Sequence, residues 1–502
     1  MRVFEQYTDQ ETYSKIVSYE NVTEMWSHSV ATYPNNVAIV DGESYTYAAM
    51  DANVSAFRTV LGAHGVTPGS LIGILCPNSA GFVKAFLAAA TWAVPTVLLP
   101  AHLDPMTVFG CAMKFGMKAI VYDTALEEKV SVLREKNPAF ALIDVTETAP
   151  TATPAISVPG STLCTILFTG GTTGKSKGAK LSHKAVMLGV RNGCYGIKKI
   201  FEERYLLVLP LTHVFGLIRN LLSALYTGSA LYICRNNKDM FRDVAIFKPT
   251  IMVIVPALAE MALNLSKQFG RNMLGADMKT IICGAAAVPP YLVREYAAMG
   301  IDLFPGYGLT ESANLVSGNP EALRKPESVG YIYPDMEYKI VDGELWLKGA
   351  NMMDGYVTPE DNEIAYEDGW FKTGDLVRID EEGFLYITGR CKEIIVLSSG
   401  ENVSPAELEV KFYAIDAVQD CLVYDTEEGG RQILALEILP RATELKKLGV
   451  TDVEAYIKEE VRRVNDTLPS FSKINKVIIR DTDFVRTPAM KIARNLNGNV
   501  KK

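Results

Sequence analysis

The sequence predicts an α/β chain whose larger part is a doubly wound, mostly parallel sheet. Between residues 20 and 150, short apolar strands alternate with helical patterns of roughly ten to fifteen residues, the rhythm of parallel strands joined by crossover helices. The run 71–76, Leu-Ile-Gly-Ile-Leu-Cys, is apolar throughout, as a strand covered on both faces must be. A length of 502 residues allows two or more domains, each with its own core.

Taken in order, 21–33 has helical spacing, 37–40 is a strand, and 44–47 pairs with it across Asp41-Gly42. A helix runs to about His64, followed by the strand at 71–76, a helix over 80–92, and strands at 97–100 and 119–122. The Thr/Pro-rich stretch 146–159 reads as a surface connection. Strands follow at 163–168, 205–209, 250–255, 278–283 and 301–304, with a helix from Gly216 to about Tyr226. Over 328–379 the strands shorten and turns multiply, as in a small β-barrel closing the first domain. Ligands of such parallel sheets bind beyond the carboxyl ends of the strands.

Composition narrows the class. The chain is 48% hydrophobic and 22% charged, typical of a soluble globular protein. A net charge of −8 provides no global field for nucleic acid or an anionic membrane. The eight cysteines are scattered without a Cys-x-x-Cys pair, as expected of reduced thiols in a cytoplasmic protein. The apolar stretch 85–101 is interrupted by Thr91, Pro95 and Pro100 and reads as a helix turning into a strand. The N-terminus lacks an apolar signal core.

The organising stretch is 163–183. A buried strand runs into Thr169-Gly170-Gly171-Thr172-Thr173-Gly174-Lys175-Ser176-Lys177-Gly178. Glycines let the backbone approach a ligand closely, threonines add hydroxyls, and Lys175 and Lys177 add charge, a combination suited to a polyphosphate. A bare glycine-rich hairpin turn is the plain alternative. The NTPase P-loop is excluded by register, because its first glycine would fall on Thr169.

Other segments carry chemistry too. The strand at 205–209 ends in Pro210-Leu-Thr-His213-Val-Phe215-Gly216, where His213 could equally be a capping or core histidine. The strand at 278–283 enters Gly284-Ala285-Ala286, an ordinary strand-to-helix turn by itself. In Gly306-Tyr307-Gly308-Leu309-Thr310-Glu311, Tyr307 offers a ring for stacking on a base, Thr310 a hydroxyl, and Glu311 a hard oxygen ligand for Mg²⁺ on phosphates. Asp375 sits in Gly-Trp-Phe-Lys-Thr-Gly-Asp, where a turn aspartate is the plain reading. The charged turn Asp380-Glu-Glu-Gly383 can absorb backbone rotation. Near the end, Lys491 reads alone as a solvated surface lysine.

Together these segments resemble the adenylate-forming superfamily of acyl-CoA synthetases, peptide-synthetase adenylation domains and luciferases. Its phosphate loop reads Thr-Ser-Gly-Thr-Thr-Gly-x-Pro-Lys-Gly followed by Ser/Thr-His; here Gly170 replaces the serine and Ser176 the proline. The Gly-Tyr-Gly-x-Thr-Glu motif agrees at each specified position, and the resemblance spans nearly the whole chain. It implies an N-terminal domain over 1–379 that binds ATP and an acyl group, and a small, mobile α+β lid over 380–502 pivoting at Asp380. It implies ATP and AMP contacts from Thr169, Gly170, Gly171, Thr172, Thr173, Gly174, Lys177, Gly284, Ala285, Ala286, Tyr307, Gly308, Asp375 (on the ribose) and Arg390. His213, Phe215 and Gly308 border the acyl pocket, while Ser399, Gly400 and Glu401 lie toward the coenzyme A channel. Lys491, Glu311, Thr310 and His213 would be catalytic, with Glu311 on Mg²⁺.

The implied activity is adenylation of a carboxylic acid, then thioester formation on coenzyme A. No acidic residue stands at 212–215 to hold an α-ammonium, which disfavours amino acids. The loop after Leu397 is a residue longer than in luciferases, which leans toward medium or long fatty acids; the compact length suits aryl acids equally. Val396 replaces a lysine that many members use in the second step, and Met490 replaces a glycine. An acyl-AMP ligase loading an acyl carrier protein is therefore the alternative. Neither nucleic acid nor an integral membrane segment is expected as a partner.

Overall fold

Two sheets form the N-terminal part, each built from the apolar runs anticipated above. In the computed structural model, which describes residues 2–169, 177–397, 401–429, 431–486 and 492–494, the first sheet has six strands. Their order is Ala141–Asp144, Ala119–Tyr122, Ile72–Leu75, Thr96–Leu98, Leu163–Phe168 and Gly178–Ser182. The first five run parallel, and the last turns back antiparallel on Leu163–Phe168. The second sheet has nine strands. Its parallel centre comprises Asp302–Tyr307, Thr280–Cys283, Ile251–Ile254, Arg204–Leu207, Ala230–Ile233 and Val37–Asp41.

Helices start where the sequence offers a capping oxygen. Thr46, Ser79 and Ser182 each accept a hydrogen bond from the amide three residues on, opening Tyr47–Ala63, Ala80–Ala90 and His183–Asn192. Most of Ala80–Ala90 is buried, which explains a sequence apolar but for Lys84. His183 is buried as well: its Nδ1 accepts from the Val22 amide at 3.3 Å, and burial pushes its pKa down to about 4. It ties two helices together. The helix expected after Gly216 begins as a wider π-helix over Phe215–Leu222 and becomes α-helical only at Ser223–Tyr226. All eight cysteines are free thiols, and Cys391 alone is exposed. Among the described residues, no helix is long and apolar enough to cross a membrane.

The short strands after residue 330 form a five-stranded antiparallel sheet around Trp370–Ile379, with an edge left open at Met336–Val341. Asp380, the expected pivot, follows directly on Trp370–Ile379. Asp380 is the tip of a hairpin whose arms, Trp370–Ile379 and Leu385–Arg390, stay paired from Ile379↔Leu385 to Asp375↔Arg390. Its carboxylate accepts from the Glu382 and Phe384 amides, Tyr386 and Lys325. Partial burial raises its pKa, but these donors outweigh that and hold it at about 2. The chain leaves the sheet after Arg390, and the apolar core of the smaller domain begins at Ile395. That domain packs Pro405–Tyr413 and Val453–Asn465 on the sheet Val418–Glu428, Arg431–Pro440 and Lys476–Ile479.

The domains meet at a buried cation. Arg441, 3% exposed, stacks 3.7 Å from the Tyr291 ring centroid and lies 3.4 Å from Glu260. Tyr291 Oη donates to Glu260 at 2.5 Å. Burial raises the Glu260 pKa to about 7, even though Tyr291, Arg441 and Arg486 favour its charged form while Asp420 opposes it. The folded protein therefore holds an extra proton between its ordinary 4.5 and about 7, and stability falls as pH rises through that window, by about 3 kcal/mol at most. Glu260→Gln, which mimics the protonated acid, should flatten the fall in melting temperature between pH 5 and 8. An unchanged slope in the variant would remove Glu260 as its source.

Candidate active site

Four chain segments deliver the candidate residues to the carboxyl ends of parallel strands, where ligands of such sheets bind. Thr169 follows Leu163–Phe168, the His213 segment follows Arg204–Leu207, Gly284 follows Thr280–Cys283, and Tyr307 ends Asp302–Tyr307. The loop itself is the connection of a hairpin: the Thr169 amide donates to the Lys177 carbonyl at 2.9 Å, and Phe168 pairs with Gly178. Gly170, Gly171, Thr172, Thr173 and Gly174 lie outside the described residues, as do Ser399, Gly400 and Lys491.

One cluster surrounds Glu311. Residues 353–357 run beside Gly178–Ser182, with backbone hydrogen bonds Asp354 to Lys180, Lys180 to Gly355 and Val357 to Gly178. That places Tyr356 between the phosphate loop and Glu311. Tyr356 Oη donates to Glu311 Oε1 at 2.6 Å. Lys177 Nζ lies 4.8 Å from the Tyr356 ring centroid and 2.9 Å from Asp361. Burial raises the Glu311 pKa, with the Tyr356 hydroxyl opposing the shift. This carboxylate is desolvated and meets only neutral donors among the described residues, the Tyr356 hydroxyl and its own backbone amide, so its negative charge is left for a cation. Among the described residues no cluster of three or more ligating groups exists. A lone carboxylate fits Mg²⁺, which draws its other ligands from phosphates and water. Neither Tyr356 nor Asp361 was expected; each is an isolated residue in a segment without a motif.

A second cluster surrounds Asp375, which is 2% exposed. Tyr307 Oη donates to its Oδ2 at 2.6 Å, and Arg390 Nε lies 2.8 Å from Oδ1. Burial and the adjacent carboxylate push the Tyr307 phenol well above its ordinary pKa, so it stays a donor. Between the clusters, Thr310 is buried in a short 3₁₀ turn at Thr310–Ser312.

The glycines and alanines nearby are set by the backbone. A side chain on Gly308 would start 1.3 Å from the Asn314 carbonyl oxygen, and one on Gly284 would start 3.0 Å from the Gly306 carbonyl. Ala285 adopts φ +65°, a left-handed conformation that L-residues seldom take, while Ala286 is exposed beside it. The Phe215 ring approaches the Gly284 position. His213 is half-buried, and its Nδ1 accepts from the Phe215 amide at 3.2 Å, which leaves the N–H at Nε2. At the far side, Ile395–Val396 and Asn402–Val403 pair as a short hairpin, placing exposed Glu401 and the 63% exposed Val396 beside its loop. Arg486 and Ile492 form a β-bridge, and the Ala493 amide donates to the Val485 carbonyl, so the ends of the segment carrying Lys491 are held together.

The chain has counterparts among known proteins. Residues 26–357 match the AMP-binding enzyme family, and residues 392–498 match the AMP-binding enzyme C-terminal domain. The chain is 29% identical over 404 residues to the long-chain-fatty-acid–CoA ligase FadD13 of Mycobacterium tuberculosis, covering 75% of this chain and 79% of the relative. The solved o-succinylbenzoate CoA synthetase of Bacillus subtilis, in complex with its acyl-adenylate intermediate, is 25% identical with a TM-score of 0.77; 95% of this chain and 98% of that one are covered. The same enzyme in complex with ATP and magnesium also has a TM-score of 0.77 at 25% identity, covering 94% of this chain and 98% of that one. With the larger family model covering more than half of its length, the chain belongs to the AMP-binding enzymes.

Proposed function

We propose that this chain is an ATP-dependent carboxylic acid–CoA ligase, an AMP-forming acid–thiol ligase. The observation that carries the reading is the nearness of two polar clusters: Asp375 with Tyr307 and Arg390, read as the ribose site, and Glu311 with Tyr356 and Lys177, read as the phosphate site, the charges of Arg390 and Asp375 being felt at Glu311. The similar ligases support the same chemistry.

In the first step, an oxygen of the acid's carboxylate attacks the α-phosphorus of ATP, and the bond to the pyrophosphate oxygen breaks. Charge develops on the equatorial oxygens, so catalysis rests on positioning and positive field. Lys177 and the loop 169–177 face the phosphates, Asp375 fixes the ribose, and Lys491 reaches the α-phosphate. Mg²⁺ bound at Glu311 supplies further positive charge to the phosphate oxygens. His213 orients the incoming carboxylate, and Phe215 packs against the acyl group. In the second step the thiol sulfur of coenzyme A attacks the acyl carbon, AMP leaves, and the thiol proton passes to solvent. We place the pivot between these steps at Asp380, so that the 397–405 loop with Ser399, Gly400 and Glu401 replaces Lys491. The acid is a fatty or an aryl acid.

The exposed Val396 favours one alternative acceptor, the phosphopantetheine of a carrier protein. Coenzyme A dependence separates the two: acyl-AMP should accumulate without coenzyme A and turn over to AMP and thioester when it is added. Turnover with a loaded carrier protein alone would transfer the reading to the alternative.

A further inference from the structure

The helix that begins after His213 buries a cation with no counter-charge. Arg219, on Phe215–Leu222, is 2% exposed. Its guanidinium packs over Gly193, at 3.1 Å from where a side chain there would begin. It makes no ion pair with any described carboxylate, and its Nη1 is sealed from solvent with no partner. The neighbouring Arg191, by contrast, is paired with Asp335. The Tyr205 hydroxyl is close enough to feel the Arg219 charge but makes no hydrogen bond of good geometry, and both amide atoms of Asn192 are also unpartnered. A desolvated guanidinium left in this state is strongly unfavourable unless an anion completes it.

Arg219 lines a narrow crevice. Among the described residues it is the one charged side chain on that wall. The rest is largely apolar, with Ile282, Phe304 and Leu315, and the far end is closed by Phe4 stacked on Tyr333 at 4.6 Å. Polar Asn319 and Ser317 are already satisfied by backbone carbonyls. Pro305 and Gly306, the residues just before Tyr307 in the chain, also line the crevice. Along the helix, Arg219 lies at most about 9 Å beyond His213.

We propose that Arg219 is a specificity residue that binds a second carboxylate on the acyl group, so that the preferred substrates are dicarboxylic acids activated at one end. This rests on the ligase reading and narrows it. The reacting carboxylate stays near His213 and Thr310, the carbon skeleton fills the apolar walls, and the distal carboxylate meets the guanidinium in a bidentate pair.

The test compares kcat/KM for AMP formation on matched acids: octanoate, suberate and suberate monomethyl ester, with shorter and longer pairs and aryl acids with and without a second carboxylate. The expected result is a preference of roughly 10²-fold or more for the dicarboxylate over both its ester and the monocarboxylate at the best length. Arg219→Met should collapse that ratio toward one, mainly through KM, and Arg219→Lys should restore part of it. Monocarboxylates used as well as or better than dicarboxylates by the parent chain overturn the proposal while leaving the ligase reading intact. AMP from none of the acids removes both. Should Arg219→Met fail to fold, the parent chain's ratio between suberate and its monomethyl ester decides alone.

Discussion

Glu311→Gln should slow acid-dependent pyrophosphate release by about 10²–10³-fold, the typical loss when one preorganised charge-stabilising group is removed. The substitution keeps an oxygen for the Tyr356 hydroxyl, so the 353–357 segment and the base of the phosphate loop should stay in place, with little change in melting temperature. What disappears is the negative charge that holds Mg²⁺ against the phosphates. Higher magnesium should therefore recover part of the rate. The raised pKa adds a pH signature: a proton competes with the cation at higher pH than for an exposed glutamate, so the apparent magnesium affinity of the parent chain should weaken early on the acid side. A variant with parental rates at low magnesium would take Glu311 out of the phosphate site.

Lys491→Ala should cost at least as much in the same step, again about 10²–10³-fold, while ATP binding stays within about tenfold of the parent. Two groups that do not include Lys491 hold the nucleotide in this account, Asp375 with Tyr307 and Arg390, and Lys177 at the end of the loop. Lys491 acts on charge that exists only as pyrophosphate departs, and such an interaction appears in kcat more than in binding. Near-normal pyrophosphate release by Lys491→Ala would refute its assignment.

Much of this was legible in the sequence because the responsible forces are local. Apolar runs with the right period fixed the strands at 72–75, 119–122 and 163–168, and the side chains of Tyr307, Glu311 and Asp375 announce their chemistry by type. Other features depend on contacts between distant segments. The Tyr307–Asp375 hydrogen bond and the Tyr356 bridge from Lys177 to Glu311 join residues with no sequence relation. Asp380-Glu-Glu-Gly383 announces a charged turn, but not the Lys325 and Tyr386 donors that its carboxylate meets. Arg219 sits in an apolar run, Phe-Gly-Leu-Ile-Arg-Asn-Leu-Leu, that reveals a helix but not the crevice the arginine faces. Gly308 belonged to a recognisable motif, yet the carbonyl that demands a glycine there belongs to Asn314 across a tight turn.

The most direct measurement of the central claim is acid-dependent exchange of labelled pyrophosphate into ATP, with magnesium present and coenzyme A absent. Exchange occurs if a carboxylate reversibly displaces pyrophosphate at the α-phosphorus and the acyl-adenylate stays bound. The account predicts exchange with at least one acid of the mono- and dicarboxylate panel, abolished by omitting the acid. Folded protein that exchanges no label with any acid, or that releases ADP and phosphate instead of AMP and pyrophosphate, would contradict it.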